Sequence, residues 1–350
     1  MVKNQDILRA WGRILQGDQP ALSIEVTKEC PLRCPGCYAF DADHLGAGMV
    51  LRELHDYRGE ELVSRILAMV DRLRPLHLSL VGGDPLVRYR ELERLLPQLV
   101  ARGIFVQVVT SAFRPIPADW AALPGVEVVV SVDGLQPEHD QRRAPATYER
   151  ILRHIRGQHV VVHCTVTGQM TAREAYLEEF VRFWSGNEDV KKIWMSIFTP
   201  QQGAEAPEIP TPEQRAWIIG ELHRLRLAYP RLDMRHGLVE ALRRPPASPR
   251  DCIFAQVTRT VSADLTTAIT PCQFGGRPDC SRCGCMASMG LEAVGRHRLP
   301  GGIPIGKLFR WSAAIGQRRR AARQRHEAAA YRAAAGSAGA GSASASAGRW

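Results

Sequence analysis

The chain of 350 residues has no run approaching the roughly 20 apolar residues that cross a bilayer, and its first residues lead into a short amphipathic segment rather than a signal peptide. Both absences predict a cytoplasmic protein. Lysine is scarce beside arginine, while alanine and glycine are plentiful, a bias of genome composition rather than of function. No repeat appears beyond a recurring strand–helix unit. The formal charge of +10 has no acidic counterweight near the end, where nine basic residues from Lys307 to Arg349 face one acid, Glu327. The first 306 residues therefore carry only two of the surplus charges. That body is nearly neutral, so the basicity gives little support to a nucleic-acid partner.

Against these absences stand nine cysteines, of which eight fall in two groups and one, Cys164, stands alone. In a reducing compartment such grouping reads as metal binding rather than as disulfides. The first group is Cys30-Pro-Leu-Arg-Cys34-Pro-Gly-Cys37-Tyr38, directly after the strand-like Ser23-Ile24-Glu25-Val26-Thr27. This spacing lets one loop place three thiolates at three corners of an iron–sulfur cube. An ordinary cluster takes four cysteines, so three leave one iron open to chemistry. The alternative is a zinc loop completed by His44. Structural zinc sites usually come as two paired knuckles, and no second pair lies close by in the sequence.

The run resembles the signature of the radical S-adenosylmethionine (SAM) superfamily. The resemblance implies a [4Fe–4S] cluster whose free iron chelates SAM, reductive cleavage to a 5′-deoxyadenosyl radical, and removal of a hydrogen atom from a substrate. Short Val- and Ile-rich segments at 23–27, 76–81, 104–110, 126–132, 159–166 and 193–198 alternate with helical patterns. Such alternation predicts an α/β fold with a parallel sheet, and six units match the partial (β/α)6, TIM-like barrel of that family's core. Active sites of such barrels gather at the carboxyl ends of the strands, where the cysteine loop belongs. Thr171-Ala172-Arg173-Glu174 and Thr211-Pro212-Glu213-Gln214 read as capping boxes that open later helices.

Two further motifs extend the resemblance. Strand two runs into Gly82-Gly83-Asp84-Pro85, where glycines admit a close ligand and an acid can accept from an ammonium. The family form has glutamate in place of Asp84 and contacts the SAM amino group. Strand four ends in Ser131-Val132-Asp133-Gly134, followed by His139-Asp140-Gln141-Arg142-Arg143. By alternation Ser131 and Asp133 face the barrel lumen. This pattern is similar to radical SAM enzymes with a SPASM or shortened twitch extension, which implies that Ser131 and Arg143 hold SAM. The alternative for Arg143 is that it caps a loop or pairs with Asp140. His163 and Thr165 face the lumen by the same alternation, and Cys164 points to the helix side. Gly36 stands where many relatives carry an aromatic residue. Tyr38 follows the third cysteine instead, with the adenine or the cluster as its expected neighbour.

The second group is Cys252, Cys272, Cys280, Cys283 and Cys285. The stretch between Cys252 and Cys272 reads as a hairpin, and the group resembles a twitch or SPASM extension that ligates one auxiliary [4Fe–4S] cluster with one sulfur to spare. A zinc knuckle is the alternative. The organisation expected is a helical segment over 1–20, the barrel over 21–235, the cysteine-rich region over 236–306, and a basic Ala/Gly/Ser-rich flexible tail over 307–350 with an arginine-rich helix beyond Trp311. Strand one begins about 20 residues in, leaving no room for an amino-terminal leader-peptide domain in this sequence. Expected partners are an acidic flavodoxin or ferredoxin, steered by the basic tail, and a peptide or small-molecule substrate. A non-catalytic iron–sulfur carrier is the reading from a different class.

Overall fold

The computed structural model of the chain describes residues 4–46 and 48–340. Seven parallel strands form one sheet in the order β6-β5-β4-β3-β2-β1-β7. They are β1 (Ala21–Glu25), β2 (His77–Val81), β3 (Phe105–Thr110), β4 (Val126–Ser131), β5 (Val160–Val166), β6 (Val190–Ile197) and β7 (Thr258–Val261). Six match the expected strands within a few residues. The seventh, β7, adds to the free edge of β1 with Ser23 opposite Thr260. The helices in chain order are α1 (Asn4–Gln16), α2 (Gly59–Leu73), α3 (Tyr89–Ala101), α4 (Asp119–Ala122), α5 (Glu138–Arg143), α6 (Tyr148–His154), α7 (Tyr176–Ser185), α8 (Pro212–Ala228), α9 (His236–Arg243), α10 (Ile253–Val257), α11 (Met286–Arg296) and α12 (Ile305–Ala340). The result is an α/β partial barrel, with a cysteine-rich region following it.

Strand alternation sorts the sheet into two faces. Leu22, Ile24, Leu78, Leu80, Val106, Val108, Val128, Val130, Val160 and Val162 point to the helices and form the main core. Alpha2 answers with Leu62, Val63, Ile66, Met69 and Val70, spaced along one helical face. Cys164 lies in this core at 1% exposure, a small buried apolar side chain as its alternation predicted. The opposite, lumen face is left to Ser23, Glu25, Asp133, His163 and Thr165, so the polar chemistry of the strands gathers on one side.

Helix starts are partly as expected. At α8 the capping box is complete, with Thr211 accepting from Gln214 N and Gln214 accepting from Thr211 N. The predicted box at Thr171 does not form. A 3₁₀ turn occupies Gly168–Thr171, Thr171 Oγ1 donates to the carbonyl of Gly168 at 2.6 Å, and α7 begins only at Tyr176. The hydroxyl is spent on its own turn, so the helix has no cap there.

The described residues divide into two compact units, one within 19–306 and one that pairs 4–18 with 307–340. Within the second unit α1 runs along α12. Arg323 donates to the carbonyl of Gln16 at 2.8 Å and to Asp18 at 3.2 Å, and Arg319 donates to the carbonyl of Leu15. Gly17 has φ +84°, and a Cβ there would stand 2.2 Å from the carbonyl oxygen of Gly316. The arginine-rich helix expected beyond Trp311 is present as part of α12, which also carries the rest of 307–340 where a flexible tail was expected, alanine and arginine being strong helix formers. Residues 341–350 of that expected tail lie outside the described residues.

Candidate active site

The loop after β1 holds Cys30, Cys34 and Cys37, all free thiols and half-buried. Burial pushes the Cys30 thiol up to about 12, and the neighbouring Asp84, Cys34 and Cys37 charges push the same way. Cys34 and Cys37 are also raised by burial, while the Arg143 guanidinium pulls both down. Three sulfurs that feel one another's charge, faced by a cation, are a set of donors that could hold a metal cluster as thiolates. Metal binding would release their protons. Gly36 in this loop has φ +65°, and a Cβ there would lie 3.1 Å from the ring of Phe198, so the missing aromatic residue leaves room for Phe198 from the far side.

His44 does not join these sulfurs. Its Nε2 donates to Glu25 Oε1 at 2.8 Å and its Nδ1 donates to the carbonyl of Phe274 at 3.0 Å. Both ring nitrogens are engaged, which removes the fourth ligand from the zinc reading of the first cysteine group. Burial lowers the His44 pKa, but the Glu25 carboxylate outweighs it and the net direction is up. Ser262, just past β7, donates to the other oxygen of Glu25 at 2.5 Å. Tyr38 packs against His44 and edge-on to Phe274, with ring centroids 5.6 and 5.5 Å apart. The first cysteine loop is thereby tied to the segment that carries Cys272.

The Gly82-Gly83 turn after β2 follows the predicted strand end. Gly82 has φ +77° and Gly83 φ +47°, and Cβ atoms at these sites would lie 2.2 Å from Glu25 Cβ and from the Glu29 carbonyl oxygen respectively. Only glycine permits that approach. Asp84, at 2% exposure, caps the next turn and is fully engaged by the protein. It accepts from Leu86 N, from Thr110 Oγ1 at 2.6 Å, and from both the backbone N and Oγ of Ser111. Its carboxylate fastens β2 to β3 beneath the loop.

At the end of β4, Ser131 is half-buried and Asp133 is 3% exposed. Arg143 donates to Asp133 Oδ2 at 2.7 Å and Arg142 to the same oxygen at 3.3 Å. Burial would raise the Asp133 carboxyl, but the two guanidiniums hold it down at about 2. Arg143 thus pairs with Asp133 and not with Asp140, which accepts from Tyr148 N instead. Arg142 reaches further, donating to the buried Glu208 at 3.1 Å. His139 is the support beneath, accepting from Asp133 N at Nδ1 and donating from Nε2 to the carbonyl of Ala146. His163 on the lumen face of β5 is kept neutral, its pKa pushed down to about 4 by burial. It contacts Ser196 Oγ at 2.8 Å, and Ser196 accepts from Met286 N.

Beyond the barrel, Cys252, Cys272, Cys280, Cys283 and Cys285 line one cleft of about 420 Å³, counting the solvent at its mouth. The hairpin predicted between Cys252 and Cys272 is present in short form. Its outgoing arm is β7, Val261 pairs antiparallel with Ala268, and Asp264 caps the turn by accepting from Thr266 and Thr267. Burial raises Cys272 to about 12 and Cys280 to about 11, and raises Cys283 and Cys285 as well. Arg215 of α8 pins the 280–285 segment by donating to the carbonyls of Arg282 and Cys283. Cys252 lies 3.2 Å from Ser288 Oγ, and Gln273 donates to Cys285 Sγ at 3.3 Å. These five sulfurs also fit a metal cluster by donor type.

Sequence reasoning missed Glu25, Arg142, Glu208 and Arg215. Glu25 carried a signal, a lone acid inside a buried parallel strand. The arginines sat among many others, and Glu208 lies in an irregular loop.

Residues 24–172 match the family model described as the radical SAM superfamily. Among curated proteins the chain is similar to a "PqqA peptide cyclase" of Rhizobium meliloti (strain 1021), 27% identical over 125 residues, covering 35% of this chain and 31% of that protein. It is also similar to a "7-carboxy-7-deazaguanine synthase" of Koribacter versatilis (strain Ellin345), 31% identical over 133 residues, covering 35% of this chain and 52% of that protein. The chain therefore spans about a third and about a half of these two relatives. Among solved structures, Streptococcus suis SuiB bound to its precursor peptide SuiA superposes with a TM-score of 0.52 at 14% identity, covering 73% of this chain and 60% of that one. Native anSMEcpe with bound AdoMet gives 0.54 at 15% identity, covering 73% and 74%. At such identity the superpositions show the shared fold.

Proposed function

We propose that this chain, whose residues 24–172 match the radical SAM family model, is a radical SAM enzyme that cleaves SAM reductively and abstracts a hydrogen atom from a peptide or a small metabolite. The observation that carries the reading is the convergence of three free cysteines, the Gly82-Gly83 turn and the Asp133–Arg143 pair at the carboxyl ends of β1, β2 and β4. Cys30, Cys34 and Cys37 would hold the [4Fe–4S] cluster. Bound there, that cluster would supply the one-electron reduction that breaks a carbon–sulfur bond of SAM.

The remaining work falls to positioning. Gly82, Gly83 and Asp84 shape the wall beside the cysteine loop, and Ser131, Asp133 and Arg143 would help to hold SAM. Tyr38 backs the loop from the side of Phe274. Arg143 offsets the thiolate charge while Asp133 keeps it oriented. No side-chain base is needed for hydrogen abstraction, so the neutral His163 and its Ser196 partner serve to bind and exclude water.

Cys252, Cys272, Cys280, Cys283 and Cys285 are proposed to hold an auxiliary cluster of the twitch or SPASM kind, five sulfurs serving four positions. A peptide substrate agrees with the name of one curated relative and a small molecule with that of the other. The electron donor is proposed to be an acidic flavodoxin or ferredoxin meeting the arginines of α12, in a reducing cytoplasm where grouped cysteines serve metal binding rather than disulfides.

The test is anaerobic reconstitution with iron and sulfide, followed by dithionite and SAM. About eight irons per chain should fall to about four in a Cys30→Ala/Cys34→Ala/Cys37→Ala variant, with 5′-deoxyadenosine formed by the wild type alone. Iron without 5′-deoxyadenosine in the presence of candidate substrates would favour a carrier, and zinc in place of iron would overturn the reading.

A further inference from the structure

Away from both cysteine groups, α8 and α9 bring together His223, His236 and Glu240. One potential ligand atom from each lies within 4.8 Å of the other two. His236 and Glu240 are four residues apart on α9 and so share a face. His223 meets them from α8, its ring 5.1 Å from that of His236. His223 Nε2 donates to Glu240 Oε1 at 2.6 Å. His236 is exposed and has no hydrogen-bond partner among the described residues. A simple His–Glu ion pair accounts for His223 but gives His236 no task.

We infer that these three side chains form a binding site for a divalent transition metal of the zinc class. Two imidazoles and one carboxylate are a borderline-soft donor set that suits Zn²⁺, Co²⁺ or Ni²⁺ and disfavours Mg²⁺ and Ca²⁺, which take oxygen ligands. The ligand atoms lie slightly farther apart than in a closed site, and a small rotation of the exposed His236 side chain brings it in. Glu240 also accepts from Arg243 Nε at 3.2 Å, a half-exposed arginine that a metal would displace into solvent. The remaining coordination positions face water, so the ion has a direct route of entry.

The site has a mechanical consequence. Arg296, at the end of α11, donates to the carbonyls of Glu240 and Arg244 on and after α9. Alpha11 begins immediately after Cys285. A metal joining α8 to α9 would therefore stiffen the support of the cysteine-rich segment without touching its sulfurs.

The test uses full-length protein with its iron–sulfur sites loaded, so that cysteines do not compete for zinc. Equilibrium dialysis against Zn²⁺ alone, with zinc and iron counted per chain, should find one zinc more in wild type than in His236→Ala or in His223→Ala, with iron equal in all three. Zinc should also raise the wild-type Tm and leave that of the His236→Ala chain in place, while binding in each variant weakens roughly tenfold or more. His236 is exposed, so its variant is expected to melt as wild type does without zinc. Equal zinc in wild type and the variants, or an equal rise in Tm, overturns the proposal.

Discussion

His44 and Glu25 form a fully buried ion pair, Nε2 donating to Oε1 at 2.8 Å with side chains 0% and 1% exposed. A charge so enclosed is tolerated only because every polar atom around it is matched. Phe274 accepts the second imidazole proton and Ser262 supplies the second carboxylate oxygen with a donor. Glu25→Gln removes the counter-charge and leaves His44 buried without it. The expected loss is about 3 kcal/mol of unfolding free energy, measured by urea denaturation. The His44 pKa is raised in the fold, so its contribution is fully present below the ordinary imidazole value and fades as pH rises through the raised one. The gap between wild type and Glu25→Gln should accordingly narrow above neutrality, and a gap independent of pH would refute the assignment.

Asp133 gives the opposite pH signature. Its carboxyl is held at about 2 against an ordinary value of 3.8, so its stabilisation is present above 3.8 and is lost as pH falls toward 2. Asp133→Asn leaves Arg142 and Arg143 facing a neutral amide. A loss of about 3 kcal/mol at neutral pH is expected, shrinking in acid, together with weaker SAM binding by isothermal titration.

For His163 the depressed value of about 4 lies below the 6.5 of a free imidazole. The unfolded chain binds the extra proton between these limits, so stability should climb with pH across that window. Allowing for partial exposure, the gain is about 2 kcal/mol. His163→Gln should flatten this part of the pH–stability curve. An unchanged slope would place the titration elsewhere.

Asp84→Ala strands the donors of Leu86, Thr110 and Ser111 in a buried site. About 3 kcal/mol should be lost, and amide exchange should rise at the tops of β2 and β3. If only SAM affinity changed, with stability intact, the carboxylate would be a ligand contact rather than a fastener.

Local pattern determined much of this protein. The Val-rich alternation of β3, β4 and β5 announced which residues face helices and which face the lumen, because a strand's side chains alternate whatever lies around it. The C-x3-C-x2-C spacing announced a three-sulfur loop, since three residues so close can reach one centre without help from the rest of the fold. The double glycine after β2 was legible because its backbone needs positive φ at both positions. What the tertiary structure decided were the pairings across long sequence distances. Glu25 meets Ser262 across 237 residues, Arg142 meets Glu208 across 66, and Arg215 meets Cys283 across 68. The edge position of β7 and the diversion of His44 from metal to carboxylate belong to the same class. A buried charge or an unpaired strand edge takes whichever partner the fold brings within reach, and no periodicity in the chain encodes that partner.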